Sequence, residues 1–194
     1  MKKKIKKFDL LDKIYERDLN SNVFTIKISI DQYTDIFNDL DPSPMKSRDI
    51  NQELLMYLTD SSDDIPLKHK LRLLIVGPTK IKDVDKEKKV KAGLHIYFSL
   101  YILSLKKKIH LAYEKSIKYF LAFIIFIGLS YYLEPIMSLN VATQTLEEGL
   151  SIGAWVFLWE AMDQIFFSNR ETVTEEKKYK RLREAKIRFQ YIKA

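Results

Sequence analysis

Between Lys118 and Arg170 the chain contains no lysine or arginine, a gap of 51 residues (119 to 169) in a sequence that carries 33 basic residues elsewhere. Lysine and arginine are costly inside a bilayer and collect on its cytoplasmic flank, so a gap this long between basic clusters is the trace of membrane-embedded helices. The gap holds five acids, Glu134, Glu147, Glu148, Glu160 and Asp163, for a net charge of −5. On either side the chain is basic, with +7 over residues 1 to 118 and +5 over residues 170 to 194. The overall mean hydropathy of −0.21 averages these segments away and resembles that of a soluble protein.

Two apolar runs lie within the gap. The first spans Ile117 to about Ile136, around Tyr119-Phe120-Leu121-Ala122-Phe123-Ile124-Ile125-Phe126-Ile127. About 20 helical residues cover the ~30 Å hydrocarbon core. Tyr131, Tyr132, Glu134 and Pro135 suit an interface at its far end. A short polar loop (Asn140, Thr143, Gln144) leads to a second run that begins after Glu147-Glu148-Gly149 and includes Leu150 to Trp159. An even number of spans with basic outer flanks, Lys106, Lys107, Lys108, Lys115 and Lys118 before and Arg170, Lys177, Lys178, Lys180 and Arg181 after, places both ends in the cytoplasm. These flanks also account for the pI near 9.3, so nucleic acid is not an expected partner. The chain has no cysteine, which removes disulfides and thiolate chemistry and fits a reducing compartment. The basic start, Met1 to Lys7, is followed by Asp12 and Lys13 without a useful apolar stretch, so no secretory signal is expected there.

Before the spans, residues 1 to 22 read as a charged lead-in with a short helix around Phe8 to Tyr15, and residues 23 to 116 as an α+β domain with a long helix. Val23 to Ile30 alternates apolar with smaller or polar side chains, the pattern of a half-buried strand. Asn38, Asp39, Asp41, Pro42, Ser43 and Pro44 mark an ordered loop. Asp49 or Asn51 can cap a short helix through Leu54, Leu55, Tyr57 and Leu58, ending in Asp60-Ser61-Ser62-Asp63-Asp64. A second strand, Leu71 to Val76, ends at Gly77-Pro78. From about Asp83 the pattern is helical, interrupted by Gly93 and then Gly128. Its apolar stripe is Val90, Leu94, Tyr97, Tyr101, Leu105, Ile109, Ala112 and Phe120. The uncharged stretch Gly93 to Leu105 is too short to span and predicts burial against the strands. Residues 168 to 194 read as a basic helical tail with a weak apolar face of Tyr179, Leu182, Ile187 and Tyr191.

The candidate polar residues of the membrane segment are Glu147, Glu148, Glu160 and Asp163. Glu160 and Asp163 share a helix face. If the second span reaches Phe167, both lie in hydrocarbon, where an uncompensated carboxylate costs at least about 2.5 kcal/mol. If Trp155 and Trp159 form the aromatic belt, both acids already sit among headgroups, the reading preferred here. Glu147 and Glu148 fall at the N-terminus of the second helix, where negative charge is favourable. Gly149, Ser151, Gly153 and Ala154, with Gly128 and Ser130, predict close helix packing rather than a pocket. The histidines, His69, His95 and His110, have no metal-ligand spacing. Gly77-Pro78-Thr79-Lys80 lacks the upstream glycine of a phosphate loop, and no other enzyme motif is present. No cofactor, metal or catalytic residue is predicted.

The segments Phe37-Asn38-Asp39-Leu40-Asp41-Pro42-Ser43-Pro44 with Arg48-Asp49-Ile50, His95-Ile96-Tyr97-Phe98, and Glu148-Gly149-Leu150-Ser151-Ile152-Gly153-Ala154-Trp155-Val156-Phe157-Leu158-Trp159 resemble a family of small, uncharacterised bacterial two-span membrane proteins with a short N-terminal cytoplasmic domain. Similar sequences follow the second tryptophan with Arg-Pro, where this chain has Glu160-Ala161, and place an acid where Asp163 stands. The resemblance implies a bacterial inner membrane and carries no activity.

The expected fold is mainly α, with a small α+β cytoplasmic domain and a two-helix transmembrane hairpin over residues 117 to 167. Two strands and one short helix bury too little alone, so they should pack on the long helix, on the tail, or on another copy. The expected role is a membrane-anchored interaction or regulatory subunit, a homo-oligomer or bound to a partner protein, with Asp41, Pro42, Ser43 and Pro44 as candidate binding-loop residues. The rival is an ion or solute transport assembly pooling Glu160 and Asp163.

Overall fold

The computed structural model describes residues 11–18, 21–137 and 141–193, with residues 136 and 137 described through their backbone alone. The chain divides into two compact units, Met1–Leu103 with Glu176–Ala194, and Ser104–Glu175.

The first unit is built on a four-stranded sheet of order β1-β2-β3-β4, comprising β1 (Glu16–Asp18), β2 (Val23–Ser29), β3 (Lys70–Pro78) and β4 (Lys186–Ile192). β1 runs antiparallel to β2, while β2, β3 and β4 are parallel. Asn22 closes the β1-β2 connection at φ 55, a left-handed conformation that asparagine tolerates, and its N–H donates to the Asp18 carbonyl at 2.7 Å. Alternation places Phe24, Ile26 and Ile28 of β2 and Leu71, Leu73 and Ile75 of β3 in the core. The register carries these rows across to β4, aligning Ile26 with Leu73 and Ile187, and Ile28 with Ile75 and Phe189.

Both expected strands are present, and two more flank them. β4 corrects the helical tail: the chain is helical in α4 (Asn169–Glu184) and then turns into a strand over Lys186–Ile192. Ile187, Phe189 and Tyr191 recur every second residue and find a partner in β3, a pairing that outweighs helix propensity. β1 lies in the expected lead-in. Residues 11–14 form a helical turn that ends before Tyr15, and Phe8 to Leu10 of the expected helix lie outside the described residues.

Parallel pairing of β2 with β3 requires a crossover. Residues 30–69 supply it through a 3-10 turn (Tyr33–Ile36), an ordered loop, and helix α1 (Gln52–Asp64). Asn51 caps α1, its side-chain oxygen accepting from the Glu53 and Leu54 N–H groups. The helix ends within the expected polar run, at Asp64, its last residue. Helix α2 (Val84–Met137) begins after Asp83, whose Oδ1 accepts from the N–H groups of Asp85 and Lys86. In the first unit α2 buries Val90, Leu94, Phe98 and Ile102. The stripe is thus rotated from the expected one, leaving Tyr97 and Tyr101 half-buried. Tyr101 stacks on Tyr179 of α4 with centroids 4.0 Å apart, and the Lys91 ammonium sits 5.4 Å from the Phe189 ring centroid of β4. Long helix, tail helix and fourth strand together supply the cover that two strands lack.

In the second unit α2 continues without interruption through Gly128 and Pro135 to Met137, and α3 (Val141–Asp163) runs antiparallel beside it. Phe126 packs on Phe157 at 5.1 Å between centroids, Tyr119 on the same ring at 6.3 Å, and Phe123 near Trp155 at 6.2 Å. Thr143 and Gln144, expected in the connecting loop, lie in α3; Asn140 lies outside the described residues. A π-helical segment (Gln164–Ser168) joins α3 to α4. Among the described residues one helix, α2, is long and apolar enough to cross a membrane. α3 falls short because Glu147, Glu148, Glu160 and Asp163 bracket only eleven uncharged residues, Gly149 to Trp159, about 16 Å of helix.

Candidate functional site

The small residues of the helix pair are partly those expected. The Ser116 hydroxyl, buried, donates to the Ala161 carbonyl at 2.8 Å, and the Ser130 hydroxyl approaches Glu147 Oε1 at 3.3 Å. Ala154 and Ala161 are buried, and Gly153 faces Phe126. Small side chains let the backbones approach, and each hydroxyl satisfies itself on the facing helix. Gly128 and Gly149 take no part, since a Cβ on either would meet nothing within 4 Å. The 45-residue separation of Ser116 from Ala161 gives no local sequence pattern that would pair them.

The four acids do not converge. Glu147 is half-buried beneath Ser130, whereas Glu148, Glu160 and Asp163 are exposed. Asp163 accepts from the Ser168 hydroxyl at 2.7 Å across the π segment. Among the described residues no group of three His, Asp or Glu side chains could hold a metal. Of the histidines, His110 contacts Glu114 at 3.1 Å, and His69 is buried edge-on to the Phe24 ring.

The loop carrying Asp41, Pro42, Ser43 and Pro44 is held by one carboxylate. Asp41 Oδ1 accepts from the Ser43 N–H at 2.9 Å, and Oδ2 from the Asp49 N–H at 2.8 Å. The Asp49 backbone bond, followed by those from Ser43, holds the Asp41 carboxyl below the usual carboxylate range. Arg48 Nε donates to the Ser43 carbonyl at 2.9 Å. At the loop's two ends Phe37 bridges Ile50, and the Asn51 N–H donates to the Ile36 carbonyl at 3.0 Å. The loop lies on α2 at Gly93, beside the Met45 carbonyl and the Phe37 ring. Gly93 is therefore a packing position rather than a helix breaker.

Between this loop and α1 runs a groove of about 510 Å³. Asn38, Asp49 and Glu53 give it polar walls, Met56 an apolar one, and Tyr97 and Tyr179 complete it. Residues 31 to 64 hold nine acids and two basic residues, against the basic trend of the chain. Met56 is 61 % exposed and Leu40, at the loop tip, 90 %.

Arg181 is a structural residue that the sequence did not single out. Its Nη1 donates to the carbonyls of Ile65 and Pro66 at 2.9 and 3.0 Å, and its Nη2 to the Ser62 hydroxyl at 2.6 Å and to the Ser62 carbonyl. One guanidinium thus satisfies the C-terminal end of α1 from α4. Lys178 adds an ion pair with Asp63 at 2.6 Å.

Compared with known proteins, the chain matches no family model, no curated protein and no solved structure.

Proposed function

We propose that the chain is a membrane-anchored interaction subunit: α2 and α3 enter the bilayer as a hairpin, and the sheet domain stays in the cytoplasm to bind a partner. The observation that carries the reading is the outward face of the helix pair. Ile117, Leu121, Ile124, Ile125 and Leu129 of α2 are exposed by 41 to 65 %, and Ile152, Trp155, Val156 and Trp159 of α3 by 54 to 66 %. No charge interrupts α2 from Tyr119 to Leu133. Apolar patches on this scale mark membrane or protein contact, and transfer from water favours burial by roughly 25 cal/mol per Å². The resemblance to two-span bacterial proteins agrees with an inner-membrane location.

The partner-binding surface in this reading is the groove beside Asp41. Its acidic walls and its exposed Met56 suit a cationic peptide segment with an apolar anchor, and Leu40 at the loop tip is a further exposed apolar side chain.

A second reading, an ion or solute transport assembly, rests on the length of α3. Gly149 to Trp159 is too short to cross, whereas Gly149 to Phe167 provides 19 residues, about 28 Å. The exposed Ile165, Phe166 and Phe167 favour that longer leg. It carries Glu160 and Asp163 into the apolar layer, where such acids tend to be functional.

The absence of cysteine makes the topology directly testable. Gln144→Cys should react with an impermeant maleimide in intact cells, and Ser21→Cys and Lys193→Cys only after permeabilisation. Labelling of either terminal reporter in intact cells overturns the hairpin.

A further inference from the structure

The starts of β3 and β4, the turn before β3, and one side of α4 meet around a cleft of about 600 Å³ in the first unit. Seven of its lining residues are lysine or arginine, contributed by three separate stretches: Lys68, Lys70 and Arg72; Lys177, Lys180 and Arg181; and Lys186. Glu184 is the only acid among the lining residues. Crowding seven cations around one cavity is unfavourable unless something offsets the repulsion.

Internal partners offset part of it. Lys180 pairs with Glu176 at 2.8 Å, and Arg72 Nη2 lies 3.8 Å from Asp18. Among the described residues, Lys70, Lys177 and Lys186 have no ion pair, and all three are exposed. Nε of Arg72 and Nε of Arg181 are buried without a hydrogen-bond partner, although Arg181 is 92 % buried. Buried donors left unmet are uncommon, because each costs the desolvation it has undergone. Burial, with the charges of Lys68 and Arg17, pushes the His69 imidazole below its ordinary pKa, consistent with a strongly positive surrounding.

The rule that basic residues flank membrane spans accounts for Lys177 to Arg181, but not for Lys68, Lys70 and Arg72, which precede Ile117 by 45 residues or more. Nor does it account for convergence on one cavity. We propose that this cleft binds a compact ligand bearing a terminal phosphate group, with Lys70, Lys177 and Lys186 contacting its phosphate oxygens. A single carboxylate would leave most of the charge unmatched, whereas a diphosphate group or a lipid phosphomonoester offers several oxyanions to lysine and arginine donors. The cavity is within the size range of small-ligand sites. No phenylalanine, tyrosine or tryptophan lines it, so it lacks the stacking platforms with which single-stranded nucleic acid is held.

The test uses the full chain in detergent solution at physiological salt, titrated calorimetrically with pyrophosphate and separately with dihexanoyl phosphatidic acid. At least one should bind saturably. Lys70→Gln with Lys186→Gln should weaken that binding by about tenfold or more, the expected result of removing two charge-assisted contacts. Lys106→Gln with Lys107→Gln removes the same charge from exposed sites elsewhere and should leave binding unchanged. Both double variants should keep the wild-type melting temperature, since all four lysines are exposed. Tighter binding of pyrophosphate assigns the site to a free phosphorylated ligand, and tighter binding of the phosphatidic acid to a headgroup. Saturable binding of neither overturns the proposal, as do equal losses in the two double variants. A single strand of about 20 nucleotides that pyrophosphate fails to displace would overturn it in favour of nucleic acid.

Discussion

The carbonyl oxygen of Met45 lies 2.5 Å from the point that a Cβ on Gly93 would occupy, with the Phe37 ring carbons 3.0 and 3.2 Å from the same point. Any side chain at position 93 would have to push the loop off α2. Gly93→Ala therefore sets an overpacking cost of about 1–3 kcal/mol against a helix-propensity gain of about 1 kcal/mol. The expected outcome is a net loss of stability in thermal unfolding. Gly128→Ala, where a Cβ meets nothing within 4 Å, should be neutral or stabilising, and the opposite ranking would dismiss the close-approach argument.

Asp41 makes the same loop sensitive to acid. Its folded carboxyl titrates below the ordinary carboxylate range because its oxygens accept from Asp49 and Ser43. A depressed pKa means that the ionised form is the one stabilised by folding. Its contribution is complete above the unfolded pKa and disappears as pH falls through the folded one. Asp41→Asn should lower the melting temperature at pH 7 and change it little near pH 3. A difference that persists undiminished at low pH would point to lost shape rather than lost charge.

Arg181 joins α4 to the end of α1 through Ser62, Ile65 and Pro66. Arg181→Met keeps the apolar stem and leaves buried carbonyls without donors, at an expected cost of about 2–4 kcal/mol in chemical denaturation. Arg181→Lys should recover little of this, because one ammonium cannot reproduce the planar fork. Full rescue by lysine would show that charge at a helix end, not geometry, is what matters.

Glu160 and Asp163 separate the two functional readings. Glu160→Gln with Asp163→Asn keeps size and polarity while deleting charge. For an anchored adaptor, liposomes holding wild type or variant should be equally silent to ions. A reproducible wild-type flux that vanishes in the variant would replace the adaptor with a transport assembly.

Local chemistry was legible in the sequence, and distant pairing was not. Alternation located β2 because its neighbours on each face are intrinsic to the strand, and the short apolar run ending at Gly77-Pro78 located β3. Asp41-Pro42-Ser43-Pro44 announced an ordered loop because aspartate and proline constrain nearby backbone. The loop's seat depends on Gly93 and Met45, 48 positions apart, and no spacing rule links them. In the tail, Tyr179, Leu182, Ile187 and Tyr191 fit a helical stripe loosely, while Ile187, Phe189 and Tyr191 fit a strand closely. The charged residues between them favoured the helical reading, and only the free edge of β3 decides for the strand. The stripe of α2 was misplaced at Phe98 and Ile102, because an amphipathic helix with tyrosines on two sides does not declare which side faces the sheet.

The register of β4 also constrains how the protein is made. Arg72 pairs with Lys186 across 114 positions, and the intervening chain includes both apolar helices. During synthesis, β1, β2, β3 and α1 leave the ribosome long before their last partner exists. Until residue 192 arrives, β3 presents an open edge flanked by Leu73 and Ile75, the kind of template that recruits foreign strands. Closing the sheet therefore comes after both apolar helices have emerged. If the two apolar helices enter a membrane as proposed, a failure of insertion between residues 117 and 167 would meet a sheet whose last edge is still open, and anchoring and domain completion would form one quality-control step.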